Sequence, residues 1–196
     1  MRLRGPVLGL SFFIAGLVVI AVAMLWMMPS RQAVTNTASL VGGSFRGVDQ
    51  DGKAVTEAEM KGKPFLVFFG FTHCPDVCPT TLFELSQALN GLGPRAEGIN
   101  ALFVTVDPER DTPEVLQRYL SSFNPRIRGI TGDTASVEAM VKTYRAYAKK
   151  VALDDGSYTM DHTALVYIMD RNGGFVRPLN MQRPTAEIVD ELRTVL

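Results

Sequence analysis

The stretch KPFLVFFGFTHCPDVCP, residues 63–79, decides the reading of the fold. Lys63 to Thr72 is a continuous apolar run, which suits a central strand covered on both faces. Both cysteines of the chain, Cys74 and Cys78, follow it directly. Beyond them Leu82, Leu85, Leu89 and Leu92 recur at helical spacing. A buried strand feeding a helix is the unit of an α/β fold, with helices flanking a central sheet.

Outward from this unit the alternation continues. Ala101 to Val106 reads as the next buried strand. In Asp107-Pro108-Glu109-Arg110-Asp111-Thr112-Pro113 that follows, Thr112 is an N-cap and Pro113 the first residue of a helix to about Phe123. Arg128 to Thr131 reads as a short strand, and Thr134 or Ser136 caps a helix through Tyr147. Thr163 to Asp170 and Gly174 to Leu179 flank a tight turn, as do Gly43 to Val48 and Gly52 to Val55 on the amino-terminal side. Thr185 to Leu196 closes the chain with an apolar stripe of Ile188, Leu192 and Val195.

The amino terminus has another character. Val7 to Met28 is 22 residues without a charge, which matches the roughly 20 needed for a helix to cross a bilayer. Arg2 and Arg4 precede it and only Arg31 follows closely, so the positive-inside tendency leaves the amino terminus in the cytoplasm. Residues 1–30 are thus expected to be a cytoplasmic amino terminus and a single transmembrane anchor, the rival being a cleavable signal peptide, whose apolar core is usually only about 7–15 residues; 31–42 reads as a polar tether and 43–196 as one globular domain outside the membrane. A bacterial inner membrane, with the domain in the periplasm, fits the short anchor and the lack of an Arg- and Ser-rich transit segment. Without Arg2, Arg4 and Arg31, the 20 basic residues become 17 against 20 acidic ones. That balance argues against nucleic acid as a partner.

The cysteines carry the chemistry. At the junction of strand and helix they meet unpaired N–H groups and a positive dipole end, so both are expected to be reactive thiolates. Two local geometries fit the prolines: a helix opening near Pro75, or one opening at Pro79 with Cys78 as N-cap. In the first the Cβ atoms stand about 5–6 Å apart, wider than the roughly 3.5–4.5 Å of a relaxed disulfide. A shared metal suits the gap better, because two sulfurs each about 2.3 Å from one ion stand roughly 3.8 Å apart. Soft thiolates favour copper(I), and an added imidazole admits copper(II) or zinc.

His162 is the leading third ligand, since His73 points away from Cys74 if that stretch is extended. It is read as beginning a strand, at the sheet end where loops converge on the first strand-to-helix turn. Asp107 and Asp111 are either partner-facing carboxylates or ordinary turn and cap residues. Asp161 either orients His162 or faces the other way, as strand alternation suggests. Met160, Met169 and Met181 are read as packing rather than thioether ligands.

Three ordered motifs, GFTHCPDVCP over 70–79, VDPERDTP over 106–113 and Asp161-His162-Thr163, resemble those of the Sco family of copper chaperones, which assist cytochrome c oxidase assembly. The likeness runs from about Gly43 to Leu196. It implies a thioredoxin-like fold in which Cys74, Cys78 and His162 bind one copper ion, as Cu(I) or Cu(II). The implied recipient is the dinuclear CuA centre on the copper-bearing oxidase subunit; a copper-donor protein is a further candidate partner. The rival reading is an enzyme, a thiol-disulfide oxidoreductase in which Cys74 and Cys78 cycle through a disulfide to keep oxidase-subunit or other exported cysteines reduced. A copper or redox sensor is a weaker third.

Overall fold

The computed structural model describes residues 40–196. The expected anchor, Val7 to Met28, lies outside them, as does nearly all of the tether; among the described residues no helix is long and apolar enough to cross a membrane. In chain order the elements are β1 (Arg46–Asp49), β2 (Ala54–Thr56), β3 (Phe65–Gly70), α1 (Val77–Leu92), β4 (Asn100–Thr105), α2 (Pro113–Leu120), β5 (Ile127–Thr131) and α3 (Thr134–Thr143). They continue with β6 (Ala148–Ala152), β7 (Tyr158–His162), β8 (Val166–Met169), β9 (Phe175–Leu179) and α4 (Thr185–Arg193).

A seven-stranded sheet runs in the order β2-β1-β5-β4-β3-β8-β9, and β6 pairs with β7 in a separate hairpin. β3, β4 and β5 are parallel at the centre; the outer strands are antiparallel. Every residue of β3 is buried, which is why its sequence carries no polar alternation. Phe68 and Phe103 lie side by side in register and meet on one face, where Tyr119 of α2 reaches Phe103. Phe69 points to the opposite face, against Tyr144 just past α3 and Tyr167 of β8. This is the α/β, thioredoxin-like arrangement, a central sheet flanked by helices.

Several local expectations need correction. α1 opens at Val77 with Asp76 at the cap, so neither proline-based geometry is adopted. α2 starts where expected, the Thr112 hydroxyl accepting from the Val115 N–H at 3.4 Å, but ends at Leu120. α3 is capped by Asp133, whose carboxylate accepts from the Ser136 N–H at 2.7 Å, and stops at Thr143. Arg145 follows with φ of 53°, the one non-glycine left-handed residue among those described. His162 closes β7 instead of beginning a strand.

The β1–β5 edge is locked by a buried charge. The Asp49 carboxylate accepts from Arg128 Nη2 at 2.6 Å and Nε at 3.1 Å, and from the N–H groups of Lys53 and Asp51. Burial disfavours its ionisation, yet these donors outweigh that and hold the carboxyl below its usual value. The folded state therefore binds this proton less readily than the unfolded chain. The resulting stability is present above the ordinary Asp pKa of about 3.9 and lost as pH falls through the folded value. Thermal melts between neutral pH and about pH 2 should show this loss in the native chain. Asp49→Asn should start less stable and show a shallower acid decline; equal slopes would refute the assignment.

Candidate metal centre

Cys74, Cys78 and His162 come together at the carboxyl end of β3. One ligand atom from each, the two Sγ atoms and an imidazole nitrogen, lies within 4.8 Å of the others. Cys78 sits in the first turn of α1, fully buried, while Cys74 precedes the helix and is 9% exposed. The Cys78 N–H, one of the orphan donors of the helix start, points to the Cys74 sulfur at 3.5 Å. Both cysteines are free thiols.

Gly70 makes the burial of Cys78 feasible. A Cβ there would lie 2.7 Å from the Cys78 Sγ and 2.7 Å from Phe103 Cε2. The sulfur fills the space that a side chain on β3 would otherwise take. Its burial has an electrostatic consequence that corrects the expectation of two thiolates. Desolvation pushes the Cys78 thiol far above its usual pKa, and nearby Cys74 and Asp111 add to the rise. A backbone hydrogen bond from Phe71 only partly opposes the loss of water, so burial favours the protonated form of metal-free Cys78.

His162 arrives from β7, its Nε2 3.4 Å from the Cys78 sulfur. Its ring lies edge-on to Phe71 at 5.7 Å and 86°, and to Phe68 at 6.3 Å and 65°. Nδ1 lies 3.2 Å from the Thr163 carbonyl oxygen, a contact that leaves Nε2 on the sulfur side. The root of the hairpin is fixed by reciprocal bonds: Thr163 N–H donates to the Tyr147 carbonyl at 3.0 Å, and Tyr147 N–H to Thr163 Oγ1 at 2.8 Å.

Asp107 and Asp111 are 1% and 0% exposed, so the partner-facing reading of these carboxylates is withdrawn. Asp111 accepts from Thr72 N–H at 3.0 Å, Thr72 Oγ1 at 2.6 Å and Thr105 Oγ1 at 2.6 Å, tying the cysteine-bearing turn to the end of β4. Burial raises its pKa against those bonds. Asp107 binds the Arg110 guanidinium and accepts from the Tyr158 hydroxyl at 3.0 Å. Asp161 is exposed on the outer face of β7, turned from His162 as alternation implies. His73 is 54% exposed and stands outside the cluster. Met169 is buried in the core, with Met160 and Met181 packed against it. Gly70, Arg110 and Tyr158 were missed from sequence. The available signals were an Arg between two aspartates and a Tyr four residues before His162 on the same strand face.

The donor set suits a soft or borderline ion. Two ligands at the usual Zn–S and Zn–N lengths and a near-tetrahedral angle stand roughly 3.5 Å apart, close to the 3.4 Å between Cys78 Sγ and His162 Nε2. Two sulfurs with one imidazole favour copper or zinc over magnesium or calcium.

Comparison with known proteins points the same way. The SCO1/SenC family pattern matches residues 33–196. An SCO2-like protein of Rickettsia felis is 34% identical over 155 residues, 78% of this chain and 76% of that one. The copper-bound structure of Bradyrhizobium japonicum ScoI is 54% identical with a TM-score of 0.77, over 80% of this chain and 99% of that one. The same fold recurs at 22% identity and a TM-score of 0.65, over 84% and 98% of the two chains, in BsSco, a member of the Sco family of cytochrome c oxidase assembly proteins with a disulfide switch.

A methyl group at residue 70 has nowhere to go. Gly70→Ala should therefore lower stability by about 1–3 kcal/mol, the usual cost of overpacking a filled core. A urea midpoint equal to that of the native chain would show that the sulfur is not held against β3.

Proposed function

The chain belongs to the SCO1/SenC family, and from that premise we propose that it is a membrane-anchored copper carrier serving cytochrome c oxidase assembly. One observation carries the reading: two sulfurs and an imidazole nitrogen gather within 4.8 Å although His162 lies 84 positions beyond Cys78 in sequence. Cys74, Cys78 and His162 are the ligands. The thiolates supply soft donors for copper(I), and the imidazole extends the site to copper(II). Val7 to Met28 is the anchor, and the domain faces the periplasm of a bacterial inner membrane. The recipient is the copper-bearing subunit with its CuA centre, and a separate protein donates the metal.

The site is suited to transient possession. It has three protein ligands, and one of them, His162, comes from a hairpin outside the main sheet. Capture releases the Cys78 proton, because the ligand is the thiolate. An incoming partner can exchange ligands without breaking the fold.

A second reading, thiol-disulfide exchange, is favoured by the two free cysteines with the Cys78 N–H on the Cys74 sulfur. Burial of Cys78 and its raised pKa oppose it as an attacking group at neutral pH. The two readings differ in their need for His162. With the full chain in detergent, His162→Ala should weaken copper(II) binding by about a hundredfold, at or above the usual cost of losing even an outer partner, while disulfide exchange persists. Unchanged copper affinity with lost exchange would make the oxidoreductase the primary function.

A further inference from the structure

The hairpin that carries His162 pairs with no other strand of the structure described. The main sheet therefore does not hold the hairpin; the Tyr147–Thr163 bonds anchor its root beside His162, and the tilt of the strand about that root is set elsewhere. Tyr158, Met160 and His162 share one face of β7, because side chains alternate along a strand. Met160 packs against the core, and Tyr158 occupies the end of that face farthest from His162.

Tyr158 is gripped by the segment that follows β4 and by Lys150 of the neighbouring strand β6. Its carbonyl accepts from Arg110 Nη1 at 3.0 Å, and its hydroxyl donates to Asp107 Oδ1 at 3.0 Å. The Arg110 guanidinium lies 3.8 Å from the centre of its ring, and the Lys150 ammonium 4.2 Å. Both are within cation–π range. Lys150 in turn pairs with Glu109 at 2.7 Å. Arg110 also stands 5.8 Å from the ring centre of Phe71, the ring against which His162 lies edge-on. A continuous chain of contacts thus runs from Lys150 through Tyr158, Arg110 and Phe71 to the imidazole.

We propose that Arg110 and Tyr158 form a latch that seats the β6–β7 hairpin and so keeps the His162 imidazole beside the Cys78 sulfur. Arg110 is a positioning residue in this scheme. It touches no ligand atom, and it acts by holding Tyr158 and Phe71 in place. Released from the latch, the Tyr158 end of the hairpin would swing about its Tyr147–Thr163 root, tilting the imidazole off the two phenylalanine rings. The effect on copper rests on His162 being a ligand; the effect on imidazole position does not.

The chain has two histidines, which makes the test direct. In the copper-free full-length protein in detergent micelles, the His162 ring protons should be displaced in the NMR spectrum by the Phe68 and Phe71 rings. Exposed His73 provides the undisplaced reference. Arg110→Met and Tyr158→Leu should each remove most of that displacement, and should weaken copper(II) binding about tenfold or more, as loss of a ligand's supporting partners commonly does. His162 resonances unmoved in both variants would overturn the latch, as would moved resonances with unchanged copper(II) affinity in a chain whose affinity depends on His162. Should Arg110→Met not fold, Tyr158→Leu decides alone, because Tyr158 is a partly exposed hairpin residue. If copper(II) affinity proves independent of His162, the ligand assignment falls and the ring shifts by themselves decide the latch.

Discussion

A side chain at residue 70 would occupy the place where the Cys78 sulfur rests, 2.7 Å from where its Cβ would be. The absence of that side chain lets the first turn of α1 close onto the end of β3, and the rest of the site is arranged around the buried sulfur. Burial strips water from the thiol and raises its pKa. A thiol kept protonated is protected from casual oxidation, since the thiolate is the reactive form.

The two acidic residues near the site have structural rather than outward-facing work. Asp111 collects three donors and joins the turn before Cys74 to the end of β4. Asp107 holds Arg110 and the Tyr158 hydroxyl, linking the same segment to the hairpin. One short segment after β4 thus braces both the sulfur-bearing turn and the imidazole-bearing hairpin. Unpaired buried carboxylates would be costly, so both pairings serve the fold as well as the site.

Much of this was legible in the residues. The unbroken apolar run of β3, the leucine spacing of α1 and the Thr112-Pro113 helix start gave elements of the right type in nearly the right places, because each depends on local pattern. The β6–β7 hairpin was not legible. Its strands carry Lys149 and Lys150 and belong to no larger sheet, so neither an apolar run nor a clean alternation marks them. The end of α3 was overrun because Arg145 takes the left-handed conformation that glycine or asparagine usually signals.

The sequence by itself determined the donor types, two thiols four residues apart at a strand-to-helix junction and a distant histidine, because ligand chemistry is a property of side chains. Tertiary structure alone decided that Nε2 of that histidine lies 3.4 Å from the sulfur of Cys78, and that the Cys78 sulfur is buried, which disfavours its thiolate. Proximity across 84 residues depends on how the hairpin is seated, and ionisation depends on how much water the fold leaves at the sulfur. Neither quantity is local to any stretch of chain.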